Sequence, residues 1–105
     1  MSEADRDRVI HSTILANLGT VAETRQVWAA AEHHHREALR LRREIADARG
    51  VLQSLHALGR ARLGAGDRDE AERYFTEAEQ LAGGLGETWN ARRYGNARRA
   101  PAARR

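Results

Sequence analysis

The chain has no cysteine and no lysine, a single proline, and only 5% aromatic residues in 105 positions. Without cysteine there can be no disulfide, no thiol catalysis and no cysteine-ligated metal. Without lysine, a Schiff base and a Walker-type phosphate loop are both excluded. Only Ser2, Ser12 and Ser54 offer a serine hydroxyl, and none sits in the strand-turn-helix setting that exposes a nucleophile. No apolar run approaches the length of a bilayer span. The opening Met-Ser-Glu-Ala-Asp is acidic and lacks the basic-then-apolar layout of a signal peptide, so a cytoplasmic address is expected. These absences point away from an enzyme, a cofactor and a membrane.

What is present favours helix. With 41% hydrophobic and 31% charged residues, abundant alanine and scarce proline, the composition suits one small all-α domain with a modest core. The net charge of +3 is unevenly spread. Residues 88 to 105 hold Arg92, Arg93, Arg98, Arg99, Arg104 and Arg105 and no acid, whereas residues 1 to 87 carry 12 arginines against 15 acids. The chain reads as a mildly acidic body with a solvated basic arm, not as a basic binding face.

The body repeats itself. "LANLGTVAETRQVWAAAEHHHREAL" (15 to 39) lies over "LHALGRARLGAGDRDEAERYFTEAE" (55 to 79) without a gap, at an offset of 40 residues. Leu18 falls on Leu58, Gly19 on Gly59, Ala31 on Ala71, Glu32 on Glu72 and Ala38 on Ala78. A fixed period of this size marks a helical solenoid. In the second copy Asp47 is the expected N-cap of a helix with an apolar stripe of Leu52, Leu55, Leu58 and Leu63. Gly64-Ala-Gly66 ends it, and Asp67 with Glu70 has capping-box spacing for the next helix, whose stripe is Ala71, Tyr74, Phe75, Ala78 and Leu81. In the first copy Ile10, Ile14, Leu18 and Val21 form one stripe, and Val27, Trp28, Ala31, His35, Ala38 and Ile45 the other. Its turn, Thr24-Arg25-Gln26, has no glycine. A glycine inside a helix costs about 1 kcal/mol relative to alanine, so Gly59 is expected to be a flat spot that the alanine-bearing partner helix, Ala71 or a neighbour, approaches closely.

At these residues the chain resembles the tetratricopeptide repeat family. The resemblance rests on Leu58, Gly59, Ala71, Phe75 and Ala78, with Leu18, Gly19, Ala31, His35 and Ala38 as the earlier copy. It spans roughly residues 7 to 87, and its long period is similar to that of cell-polarity scaffolds and bacterial regulator arrays. It departs from the family in placing His35 at the aromatic position and in lacking the usual terminating proline. The resemblance implies an all-α short solenoid: two antiparallel helical hairpins, about 7–46 and 47–86, plus a C-terminal capping helix at about 87–98. These make a helical domain over 1–98, followed by a disordered basic tail at 99–105.

It also implies function. The first helix of each pair would line a concave groove for an extended peptide or partner helix, with Thr13, Ala16, Asn17, Thr20, Gln53, His56 and Arg60 as its lining. Asn17 sits where many family members hold a backbone-binding asparagine, but its counterpart is Ala57, which leaves a carboxylate clamp incomplete. Because two repeats and a degenerate third leave bare ends, a homodimer formed by end-to-end or swapped packing is expected.

Three other signals yield to structural readings. Glu32 and His35 resemble half of a di-iron carboxylate site, but no second Glu-x-x-His appears, and His35 is expected in the core. Gly83-Gly84-Leu85-Gly86 follows a helix, not a strand, and is expected to be a helix stop and hinge instead of a phosphate cradle. Trp89 and Tyr94 among arginines read as aromatics buried by the capping helix, with a nucleic-acid-associated role of the C-terminal arm as the alternative function.

Overall fold

The computed structural model describes residues 1–85, and within them every regular element is a helix. The elements are α1 (Glu3–Thr24), α2 (Trp28–Glu44), α3 (Ala48–Gly64) and α4 (Arg68–Leu85), each packed on the one before it. The third helix and tail expected at 87–98 and 99–105, with Trp89 and Tyr94, lie outside the described residues.

Side chains set the starts. Ser2 Oγ accepts from the Asp5 amide at 3.0 Å, Asp47 Oδ1 from the Gly50 amide at 3.0 Å, and Asp67 Oδ1 from the Glu70 amide at 3.1 Å. Helix α2 has no such cap, because Val27 occupies the corresponding position. The three turns share one construction. The amides of Gln26, Ala46 and Gly66 reach back to the carbonyls of Glu23, Arg43 and Leu63, and those of Val27, Asp47 and Asp67 reach Ala22, Arg42 and Arg62. This double closure needs a left-handed residue at the centre. Gly66 supplies it at φ 88° without strain, while Gln26 and Ala46 are forced to φ 60° and 55°.

The core lies between α2, α3 and α4, where Leu39, Val51, Leu52, Leu55, Leu58, Ala78 and Ala82 are buried together. Between α1 and its neighbours the cluster shrinks to Ala22, Ala31 and Ala61. Arg42, itself buried, joins the hairpins by donating to Gly50 O at 3.2 Å and Ser54 Oγ at 2.9 Å.

The stripe expectations are corrected. The α1 stripe faces solvent, with Ile10, Ile14, Leu18 and Val21 at 59, 51, 46 and 49% exposure, while α1 buries Ser12, Gly19 and Ala22. Val27 and Leu63, counted in the other stripes, are also exposed. The close approach expected at Gly59 is there, made by the ring of Phe75, one helical step beyond Ala71: a Cβ at Gly59 would overlap Phe75, and one at Gly19 would come within 2.6 Å of His35. Helix α4 continues through Gly83 and Gly84 to Leu85, with fully buried Ala82 anchoring that turn in the core, and Gly86, the end of the expected stop, lies outside the described residues.

Candidate functional site

Along α1, Thr13, Ala16, Asn17 and Thr20 follow at the three- and four-residue steps that keep side chains on one helix face. Thr13 and Thr20 are exposed, and their hydroxyls donate to the carbonyls of Val9 and Ala16, each at 3.0 Å. Ala16 is half-buried and Asn17 exposed. Asn17 also lies seven residues from Ile10 and four from Val21, so it borders the exposed apolar stripe. Its counterpart Ala57 is buried. On α3, Gln53 and Arg60 are exposed and His56 is half-buried, its ring centroid 5.2 Å from that of Phe75.

Two of these seven residues, Thr20 and Arg60, meet at one concavity of about 360 Å³, which Glu23, Thr24 and Trp28 complete. Sequence reasoning missed those three. Glu23 and Thr24 continue the Thr20 face by one helical step, which is the signal that would have found them. Trp28 was assigned to the core stripe, and its indole does cover Gly64 at the end of α3, but part of the ring is left to line the concavity.

Electrostatics at this point are closed upon themselves. Arg60 grips Glu23 with both arms of its guanidinium, Nε to Oε2 at 2.6 Å and Nη2 to Oε1 at 3.1 Å, and its Nη1 lies 3.2 Å from His56 Nδ1. Such two-point pairing fixes orientation as well as charge. Behind Glu23 lies the His35 ring, with Nε2 3.5 Å from Oε1, too long for a good hydrogen bond. Both ring nitrogens of His35 are buried without a hydrogen-bond partner. Burial pushes the Glu23 carboxyl up, but the hydrogen bond and charge of Arg60, with His35 behind, outweigh it and leave the group below its ordinary value. Burial pushes the His35 imidazole down; the Glu23 charge opposes this, and the net result remains a lowered value. The site thus presents a neutralised ion pair, an indole edge and threonine-lined backbone, without an activated nucleophile among its lining residues. Among the described residues no cluster of three or more histidines and acids could hold a metal, and no helix is long and apolar enough to cross a membrane.

A family model described as tetratricopeptide repeat matches residues 11–83. No curated protein and no solved structure matches the chain.

Proposed function

The chain belongs to the tetratricopeptide repeat family, and on that premise we propose that it is a non-catalytic adaptor or regulatory module that holds a peptide or partner helix in the groove formed by α1 and α3. The observation that carries this reading is the concavity where Thr20 of α1 and Arg60 of α3 meet beside Glu23 and Trp28. An apolar side chain of the ligand would rest on the Trp28 edge, and an acidic group would compete with Glu23 for Arg60. Thr13, Ala16, Asn17, Gln53 and His56 extend the same surface along the two helices in this proposal. Its frame is a helical domain over 1–98 with repeats at about 7–46 and 47–86, working in the cytoplasm, with two copies associating into a homodimer. The arginine arm on which a nucleic-acid role would depend lies outside the described residues.

The test is a combined Gln53→Ala, His56→Ala and Arg60→Ala variant, measured by fluorescence anisotropy on peptides that the unaltered chain selects from a displayed library. Helicity should persist while binding weakens about tenfold or more, ~1.4 kcal/mol or greater. Equal binding by the two proteins would move recognition off this groove.

A further inference from the structure

Four large aliphatic side chains of α1 stand in water, and the repeat itself shows what such a row is for. Moved on by 40 residues, Ile10, Ile14, Leu18 and Val21 become Gly50, Ser54, Leu58 and Ala61 of α3. Those four are buried, and Gly50 and Ser54 receive the guanidinium of Arg42 from α2. The row on α1 therefore occupies an interface position, but its chemistry differs from the small-residue interface this chain builds internally. A preceding helix like α2 would bring an arginine to Ile10 and Ile14, which offer neither a hydroxyl nor close approach to a carbonyl.

Head-to-tail stacking of copies fits no better. The residues by which α2 engages α3 include Trp28 over Gly64, Glu32 paired with Arg62 at 3.0 Å, and Leu39 in the core. Their counterparts on α4 are Arg68, Glu72 and Glu79. Setting that charged face on four aliphatic side chains would strip water from the charges without burying apolar surface on both sides.

The row does match itself. Ile14 and Leu18 lie two residues either side of the level of Ala16, and Ile10 and Val21 lie six before it and five after. Exposed Asp7 precedes the row by three residues and exposed Arg25 follows it by four, each nine residues from the same level. Among the described residues neither is in an ion pair, and by helical spacing both lie on the face that carries Ile14 and Leu18. Running antiparallel about a two-fold axis at the level of Ala16, two copies of α1 would place Ile14 against Leu18, Ile10 near Val21, and Asp7 against Arg25 twice over.

We propose that two copies of this chain associate through their α1 helices, antiparallel about a two-fold axis at the level of Ala16 on the opposite face of the helix, with Ile10, Ile14, Leu18 and Val21 as the buried seam and Asp7–Arg25 pairs at its ends. A two-fold contact of this kind closes on itself and ends at a dimer. The proposal rests on the reading that two copies associate and is independent of the groove.

Sedimentation of the full chain at micromolar concentration tests it, with circular dichroism as the check on folding. The unaltered chain should sediment as a dimer, and Ile14→Asp as a folded monomer, since Ile14 is already half in solvent. Asp7→Arg or Arg25→Asp alone sets like charges opposite each other and should weaken association about tenfold, whereas the double reversal should restore it. A dimer indifferent to Ile14→Asp and to both reversals would overturn the α1 seam while leaving association standing. A monomer at every concentration would overturn both.

Discussion

At the residue scale the two copies run the same experiment with different rings. Phe75 lies on Gly59 and His35 lies on Gly19, but phenyl needs no hydrogen bond, whereas both nitrogens of His35 are buried without one. An unsatisfied buried polar group costs about 1–3 kcal/mol. His35→Phe should therefore raise stability by roughly 1–2 kcal/mol, read as a higher denaturation midpoint with an unchanged slope. It should also change the pH profile. With its folded value lowered from 6.5, His35 binds protons more readily in the unfolded chain, so stability is full above about 6.5 and falls as pH drops below it. Glu23, lowered from 4.5, contributes stability that is full above that value and lost as pH falls through its folded value. The Phe variant should lose the first decline and keep the second; a slope below pH 6.5 that survives in the variant would place the titration elsewhere. The glycines give a second residue-scale expectation. Gly59→Ala puts a methyl group into Phe75 and should destabilise by about 1–3 kcal/mol through overpacking. Gly84→Ala, with nothing within 4 Å, should gain up to about 1 kcal/mol from helix propensity. Shifts of the same sign in thermal melts of the two variants would remove the close-packing account of Gly59.

At the element scale, the three turns are one design executed with unequal residues. Positions 26, 46 and 66 all take positive φ, but only the last is glycine; positions 27, 47 and 67 all precede a helix, but only the last two are aspartate. Gln26→Gly and Ala46→Gly should each stabilise by about 1 kcal/mol by relieving the left-handed backbone. Val27→Asp should add about 1 kcal/mol by capping α2. Chemical denaturation of the Gln26→Gly, Ala46→Gly double variant should show close to the sum, since the two sites are in separate turns, with Val27→Asp measured alone; a net loss in either would mean that Gln26 or Val27 has a packing duty that its exposure conceals. These turns also show what was readable in advance. The caps at Asp47 and Asp67 and the break at Gly66 were legible because their residue types have one dominant local use. The turn after α1 was indistinct because Gln26 does a glycine's job. The α1 stripe was legible as apolar, but periodicity reports only that a row needs a partner, not whether the same chain provides one. Of the concavity, Thr20 and Arg60 were named beforehand, while Glu23 and Trp28 were hidden, one as an ordinary helix-surface acid and the other as core.

At the scale of the whole molecule, the two hairpins differ in how completely they are enclosed. Helix α3 is covered by α2 on one side and α4 on the other, with Leu55 and Leu58 at 0% exposure. Among the described residues helix α1 has packing on one side only, its shared cluster with α2 and α3 is small, and the helix it leads into lacks a side-chain cap. In a solenoid each unit is stabilised by its own contacts and by its neighbours, so the unit with one bare side opens first. Native-state hydrogen exchange at a concentration where the chain is monomeric should therefore find the slowest amides in the Leu52–Ala61 part of α3 and the fastest helical amides in α1. The link between the groove and this gradient is the Arg60–Glu23 pair, the two-point tie from α3 to the last turn of α1. Arg60→Ala should speed exchange near Glu23 more than in α4, and a bound peptide spanning α1 and α3 should slow it again, because such a ligand stabilises only the state in which both helices are in place. If α1 exchanged as slowly as α3 in the monomer, the enclosure argument would fail, and the groove would have to be regarded as rigid before any ligand arrives.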